Sequence, residues 1–394
     1  MAIADHSGHV QVVGAPGDRP KLNRLHESPS IWRCVCLLAL ILVALIQTPS
    51  VALAARHRIG AFYFPGWTES DWTPKGVWTP IKAYPEREPL LGWYREGDPL
   101  IMERQLDWMS SHGIDFVMFD WYYSHDDVRA EHALKAYLTV PQDKVSFALM
   151  WANHDEPTTP AIWRRLVATW IDRYFASSRY ERIKGRPVVM ILSLERLAAN
   201  AKTAGTSLKQ LIDTARAMTN AASMPEIYFV GGTDDMSIPL VRTDAPAAGI
   251  AAISAYNLHR KTVADAVADP NWGRLTRGGY RGLDAAYRAQ WAQGLKLPLP
   301  FIVPMTSGWD HRPWGPSPDP LHDRAIATSA EFRAHLSAAR RILDRPGRQR
   351  SGIGLICCWN EFGEGSFIEP TKREGLDKLD QIHSVFGIRR VPKP

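Results

Sequence analysis

The chain has few of the features that mark special classes of protein. It holds only 4 Cys in 394 residues, which excludes a small scaffold held together by disulfides. Its longest apolar run covers residues 34–46, shorter than the ~20 residues of a membrane-spanning helix, which excludes a multi-span membrane protein. No block of five like charges occurs and the net charge is only +6, so we expect no nucleic-acid partner.

The amino-terminal residues predict a targeting signal instead of part of the fold. Residues 1–33 are polar and aperiodic, and Arg33 directly precedes the apolar run. Ala52 and Ala54 then form the small-x-small pattern of a cleavage site. We interpret residues 1–54 as a signal peptide with a polar leader and expect a periplasmic or secreted protein. An uncleaved membrane anchor, or a start codon placed too early, is the alternative.

Removal of such a signal leaves two cysteines in the chain. Cys357 and Cys358 are neighbours in an apolar run, so they cannot form an ordinary long-loop disulfide. We favour the interpretation that they are small apolar side chains of a buried strand. A vicinal disulfide and a thiol nucleophile are the alternatives.

Eight short runs rich in Val, Ile, Phe and Tyr alternate with segments of helical spacing. The predicted strands cover residues 58–66, 114–122, 145–153, 187–193, 226–231, 249–256, 299–305 and 353–359. Amphipathic helices are predicted over residues 98–112, 161–176, 207–222, 281–294 and 326–345. Strands that are apolar on both faces and alternate with helices indicate a parallel sheet, so residues 55–394 predict a single α/β domain, a (β/α)8 TIM barrel. An open doubly wound sheet is the alternative, but no G-x-G-x-x-G follows the first strand and no Walker loop or G-x-S-x-G elbow occurs.

The active site of such a barrel lies at the carboxyl ends of its strands. Tyr256 and Asn257 are polar residues at the end of the sixth run. Trp occurs at five of the strand ends and 15 times in the chain; because indole rings stack on the apolar faces of sugars, we expect a carbohydrate partner, although any single Trp also fits core packing. The candidate substrate-binding residues are Tyr63, Trp67, Asp120, Trp121, Tyr122, Trp151, Asn153, His154, Trp309, Asp310, Trp359 and Asn360.

The most specific local pattern is W-N-E-F-G-E-G-S-F-I-E-P at Trp359–Pro370. Glu361 and Glu364 lie three residues apart in a glycine-containing turn, from which both can project into one cleft. Glycosidic cleavage needs one protonated and one ionised group, and two close carboxylates tend to separate in pKa. Glu361 and Glu364 are therefore the candidate catalytic pair, and Glu369 is interpreted as structural. From the spacing alone, a solvated acidic loop is the alternative.

This segment resembles the signature N-E-(aromatic)-x-E-G-x-x-x-E-P of the glycoside hydrolase family 99-like group, which includes endo-α-mannosidases and WbsX-type proteins. The resemblance extends to F-Y-F-P-G-W at residues 62–67, G-I-D-F-V-M-F-D-W-Y-Y at 113–123, W-A-N at 151–153, R-Y-E-R-I-K-G-R-P-V-V-M at 179–190 and G-W-D-H-R-P at 308–313. It implies a (β/α)8 barrel that cleaves mannose-type linkages with retention and endo action. It also implies that Glu364 is the general acid/base and that Glu361 deprotonates the sugar 2-hydroxyl to form a 1,2-anhydro sugar. The mannosidases carry a His where this chain has Gly363, which leaves the identity of the sugar open.

Three functions compete at this point. The first is a glycoside hydrolase acting on a poly- or oligosaccharide, which the carboxylate pair favours. The second is a non-catalytic sugar-binding barrel, which does not need both glutamates. The third is a glycosyltransferase-like protein of polysaccharide biosynthesis, although no site for a nucleotide diphosphate is visible. We expect no metal, because no second His stands at ligand spacing from His154, and we also expect no cofactor.

Overall fold

The computed structural model describes residues 57–69, 76–154, 157–258, 279–315, 323–347 and 350–387. The signal peptide predicted over residues 1–54 lies outside these ranges, so it stays a prediction together with the expected localisation. Among the helices of the described ranges, none is long and apolar enough to cross a membrane.

Eight parallel strands form a closed barrel. Each strand pairs with the next along the chain, and the eighth pairs with both the seventh and the first, so the ring closes. This confirms the predicted (β/α)8 barrel and excludes the open sheet. The strands are β1 Arg58–Tyr63, β2 Phe116–Ser124, β3 Ser146–Trp151, β4 Arg186–Ile191, β5 Tyr228–Gly232, β6 Ala252–Ser254, β7 Phe301–Thr306 and β8 Arg350–Cys357.

Eight longer helices are present in the described part of the chain. They are α1 Pro99–Ser111, α2 His132–Thr139, α3 Pro160–Arg173, α4 Leu194–Thr203, α5 Leu208–Ala221, α6 Tyr280–Gly294, α7 Ser329–Leu343 and α8 Asp377–Phe386. The shorter helical turns are Thr79–Lys82, Pro85–Arg87, Leu240–Asp244, Ala245–Ala248 and Arg312–Trp314. The shorter strands are Asp127–Arg129, Arg182–Ile183, Gly308–Trp309, Ala325–Ile326, Asn360–Glu361 and Ser366–Phe367.

The helix starts follow from local capping chemistry. Asp98 accepts a hydrogen bond from the Leu100 N–H of α1, and Ser193 and Ser207 each accept one from the N–H of the third residue of α4 and α5. Thr328 and Glu331 form a reciprocal capping box at the start of α7. Because each cap satisfies a backbone donor that the helix leaves open, these residues define where the helices begin.

The sixth strand is the one that is shortened most relative to its prediction, because it covers only Ala252–Ser254 instead of 249–256. Gly249 has φ 93° and ends the short helix Ala245–Ala248. This left-handed conformation favours glycine and cannot continue a strand, so β6 begins later than the apolar run indicates.

Side chains of the strands alternate between the barrel interior and the layer beneath the helices. On β2, Phe116 and Met118 belong to the interior cluster, whereas Val117, Phe119 and Trp121 pack in the helix layer. Because large apolar side chains fill the interior, a substrate can meet only the ends of the strands.

The two cysteines lie in the interior cluster at the end of β8. Cys357 and Cys358 are fully buried and joined by a disulfide. The structure therefore contains the vicinal disulfide, which the sequence left as an alternative. Both side chains still fill the apolar interior, as expected for residues of a buried strand.

Candidate active site

A cluster of carboxylates and one phenol lies at the carboxyl ends of β2, β6 and β8. Asp120 is on β2, Tyr256 follows β6, and Glu361 follows β8. The Tyr256 hydroxyl lies 2.8 Å from Asp120 Oδ2 and 3.1 Å from Glu361 Oε1. A hydroxyl has one proton to donate, so both contacts are hydrogen bonds at once only if one of the two carboxyls is itself protonated. The geometry therefore favours a shared proton.

The electrostatics of the cluster point in the same direction. Burial raises the pKa of Glu361 well above its ordinary value, and the charges of Glu364 and Asp120 add to the effect. Burial likewise raises the pKa of Asp120, against the hydrogen bond from Tyr256. Burial and the neighbouring carboxylates also raise the pKa of Tyr256, which keeps it a phenol. The cluster therefore holds a proton more tightly than ordinary carboxylates do.

Two oxygens of the cluster are available for a ligand. Asp120 Oδ1 and Glu361 Oε2 are buried and have no hydrogen-bond partner among the residues that the structure describes. Buried polar atoms are rarely left without a partner in native proteins. These two oxygens are therefore positioned to accept hydrogen bonds from the hydroxyl groups of a bound molecule.

Tyr122 and His154 lie beside the cluster. Tyr122 lies two residues after Asp120 on β2, so the two side chains point to the same face of the sheet, and Tyr122 contributes to the raised pKa of Tyr256. Its ring and that of the exposed His154 are nearly perpendicular, with the ring centroids 5.9 Å apart. The structure thus brings these two predicted binding residues to the site.

The glutamate pair is carried by a tight antiparallel turn. Asn360–Glu361 pairs with Ser366–Phe367, and Glu364, which is half-buried, lies in the intervening turn. The Asp310 N–H donates to the carbonyl of Glu364 at 2.5 Å. Gly365 has φ 69°, and a Cβ there would lie 2.8 Å from the Asp310 nitrogen, so this position requires glycine.

Asn360 fastens this turn to the segment after β1 and does not point into the site. Its Nδ2 donates to the Phe64 carbonyl and to Glu96 Oε1, both at 2.9 Å, and its Oδ1 accepts from the Phe64 N–H. The buried Glu96 also accepts from the Trp67 N–H at 2.7 Å and lies 2.9 Å from His132 Nε2. The Trp67 indole donates to the carbonyl of Asn360. Asn360 and Trp67 therefore support the glutamates instead of binding substrate, which corrects their prediction.

Asp310 is also a supporting residue. It is fully buried and forms ion pairs with Arg87, at 2.8 Å, and with Arg312, at 2.6 Å. Burial alone would raise the pKa of Asp310, but the hydrogen bond from Arg312 and the charges of both arginines outweigh it and hold the pKa below the ordinary value. Arg87 additionally donates to the carbonyl of Phe362, inside the glutamate turn. The prediction that Asp310 contacts sugar is therefore not supported.

The predicted sugar-stacking residues Trp121 and Trp151 lie behind the barrel wall. The Trp121 indole donates to the hydroxyl of Tyr174 at 3.1 Å and packs against Trp170. Trp151 packs against Trp163 and Trp170. Successive side chains of a strand point to opposite faces, so the residue after the inward-facing Asp120 must face the helices.

Four further candidates are buried supports of the loops. The Tyr63 hydroxyl donates to a glutamine of α1 at 3.0 Å. Asn153 bonds both the N–H and the carbonyl of Ser193, at 2.9 Å each. Trp309 is stacked on the His311 ring, and the backbone N–H of Trp359 bonds β1. The structure places none of these four candidates, Tyr63, Asn153, Trp309 and Trp359, in the carboxylate cluster.

The comparison with protein families places this chain in a known group. The family model described as Glycosyltransferase WbsX matches residues 65–382, which include both glutamates. The chain belongs to the WbsX family. The resemblance to the family 99-like group is thereby confirmed.

Solved structures share the fold of this WbsX-family chain. A protein described as glycoside hydrolase-like has a TM-score of 0.61 at 17% identity, over 84% of this chain and 94% of that one. The GH99 endo-α-mannosidase from Bacteroides thetaiotaomicron has a TM-score of 0.57 at 14% identity, over 83% of this chain and 96% of that one. No curated protein matches the chain in sequence.

Sequence reasoning on this WbsX-family chain missed Arg87, Glu96 and Trp314. Arg87 and Glu96 come from the segment between β1 and α1, which has no motif, and their partners are distant in the chain. Trp314 directly follows the G-W-D-H-R-P loop, so its position next to this motif could have identified it as a candidate. Within the described ranges, no three His, Cys, Asp or Glu side chains are grouped to hold a metal ion.

Proposed function

We propose that this WbsX-family protein is a retaining glycoside hydrolase that cleaves within a poly- or oligosaccharide. The observation that carries the proposal is the cluster of Asp120, Tyr256, Glu361 and Glu364 at the ends of the barrel strands. It supplies a shared proton, bases, and two buried oxygens that lack partners in the described structure. These are the groups that acid/base cleavage of a glycosidic bond requires.

Glu361 acts as the base toward the substrate. Its raised pKa makes its ionised form a stronger base than an ordinary glutamate. It takes the proton of the sugar 2-hydroxyl, and the resulting oxygen attacks the anomeric carbon. The bond to the leaving oxygen breaks, and Glu364 donates its proton to that oxygen.

The second half of the reaction reverses these roles. The ionised Glu364 takes a proton from water, the water oxygen opens the 1,2-anhydro sugar at the anomeric carbon, and Glu361 returns its proton to the 2-oxygen. Two displacements at one carbon give overall retention. Asp120 accepts a hydrogen bond from a sugar hydroxyl, and Tyr256 keeps its proton throughout.

We further propose mannose-type linkages as substrate and endo action. The glutamate signature and the fold shared with a GH99 endo-α-mannosidase support this choice. The family description names a glycosyltransferase, and the same anhydro sugar would give transfer if a sugar hydroxyl replaced water in the second half. Products formed in the presence of an acceptor distinguish the two reactions.

The test compares the full-length protein with Glu361→Gln and Glu364→Gln on yeast α-mannan and a panel of bacterial exopolysaccharides, following new reducing ends. We expect each variant to lose ~10²- to 10⁴-fold in cleavage rate, because general acid/base catalysis contributes that much. Glu103→Gln, an exposed change on α1, is the matched control and should cleave normally.

Three results would contradict the proposal. Equal cleavage by all variants would remove the glutamates from the mechanism. Glycan binding without cleavage by the wild type would favour a sugar-binding barrel. Elongated products with an added oligosaccharide acceptor, and no new reducing ends, would identify a transferase.

A further inference from the structure

Trp314 is the outer member of a stack of three indole rings. The Trp67 and Trp78 rings are stacked with centroids 4.2 Å apart, and the Trp314 ring is stacked on Trp67 at 5.7 Å with an interplanar angle of 11°. Trp67 and Trp78 are buried, whereas Trp314 is 39% exposed. An indole backed in this way is already held in place, so a ligand that stacks on it orders little further side-chain freedom.

The stack abuts the turn that carries the glutamates. A Cβ at position 363 would lie 1.8 Å from Trp314 Nε1, so the indole occupies the space that a side chain at this position would take. Gly363 lies between Glu361 and Glu364. The Trp67 indole also donates to the carbonyl of Asn360, which ties the inner ring to the same turn.

Exposed large apolar side chains are rare in the part of the chain that the structure describes. Besides Trp314 they are Leu90 and Leu100. Trp314 differs from both because it lies against the turn that carries the glutamates. An exposed indole face beside a carboxylate cluster is suited to the apolar face of a pyranose ring, which also presents hydroxyl groups to nearby polar residues.

We propose that the exposed face of Trp314 is a sugar-binding subsite of the active site, and that Gly363 is the specificity-determining residue that makes room for it. The proposal rests on the proposed function. The ligand class is a pyranose unit of the glycan chain that is being cleaved.

The test measures glycan affinity in the Glu364→Gln background by isothermal titration calorimetry with manno-oligosaccharides of increasing length and yeast α-mannan. Trp314→Ala should weaken binding by ~5-fold or more, since one stacked ring contributes at least ~1 kcal/mol. Trp314→Phe should retain part of the affinity that Trp314→Ala loses. Gly363→Ala should cause a similar loss, because its methyl group displaces the indole. In a double-mutant cycle the two losses should not add.

A kinetic readout separates binding from a structural role. With Glu364 restored, Trp314→Ala should raise KM and leave kcat nearly unchanged, because the subsite binds ground state and transition state alike. Leu100→Ala, an exposed apolar change on α1, is the matched control and should alter neither constant.

The outcomes distinguish this inference from the proposed function. Unchanged affinity in Trp314→Ala, while Glu361→Gln and Glu364→Gln still abolish cleavage, overturns the subsite alone. Additive losses overturn the role of Gly363. No binding of any probe by the Glu364→Gln protein overturns both the subsite and the proposed mannose-type substrate, whereas the proposed hydrolysis itself fails only if the wild type cleaves none of the glycans in the panel.

Discussion

Glu369 should make the stability of this protein fall as the pH rises. The Tyr94 hydroxyl donates to its Oε2 at 2.7 Å, and Gln105 Nε2 donates to its Oε1 at 3.2 Å. Burial raises the pKa of Glu369 from 4.5 to about 8, although these two hydrogen bonds oppose the shift. The folded protein therefore holds the Glu369 proton over a pH range in which the unfolded chain releases it.

The sign and size follow from proton linkage. Below the unfolded pKa of 4.5 both states carry the proton and Glu369 contributes nothing to the pH dependence. Stability then declines as the pH rises, until the folded pKa of about 8 is passed. At ~1.4 kcal/mol per pKa unit, the difference between these two values corresponds to about 5 kcal/mol in the free energy of unfolding.

Glu369→Gln removes this titration and keeps the side-chain shape. Urea unfolding from acid to alkaline pH should show the two proteins converging near the unfolded pKa and the variant becoming more stable above neutrality, by up to about 5 kcal/mol. Glu103→Gln, which changes an exposed glutamate on α1, should follow the wild type. Parallel curves for Glu369→Gln and the wild type across this range would refute the reasoning.

Three other predictions concern a buried ion pair, a tightly packed glycine of β5 and the pH dependence of cleavage. Arg87→Met should lower the free energy of unfolding by ~3 to 5 kcal/mol in urea titrations, because it removes one partner of a buried ion pair with Asp310. Gly232→Ala should cost ~1 to 3 kcal/mol or more in the same assay, since its Cβ would lie 2.3 Å from the Leu192 carbonyl oxygen. If the proposed function holds, the cleavage rate should fall as the pH is lowered, and it should do so at a pH above the ordinary pKa of glutamate, because only ionised Glu361 is a base and its pKa is raised. A rate that falls only at the ordinary pKa of glutamate would contradict that role.

The barrel could be predicted from sequence because eight apolar runs and their amphipathic partners are local patterns. The sequence could not predict which side chains of each strand face the barrel interior. Asp120 and Trp121 are adjacent, so only one of them can face the barrel interior, and the apolar run does not say which. In the structure Asp120 faces the interior, and Trp121 and Trp151 pack in the helix layer.

The glutamate pair is recognisable from sequence because its members share one short turn. Its supports are not, because they come from other parts of the chain. Arg87 reaches Asp310 and Phe362 across more than two hundred residues, and Glu96 reaches Asn360 over a similar separation. No local pattern encodes such contacts. Asp310 and Asn360 therefore resembled substrate-binding residues in the sequence, although in the structure they support the glutamate turn.

The closure of the barrel has a consequence for the order in which the protein matures. Strand β8 pairs with both β1 and β7, so these two strands keep open edges until residues 350–357 dock between them. The glutamate turn follows directly and is bonded to the segment after β1. Closure of the barrel and assembly of the site are thus coupled. A chain in which β8 has not docked would expose two unpaired strand edges, which are prone to aggregation, and would lack a complete site.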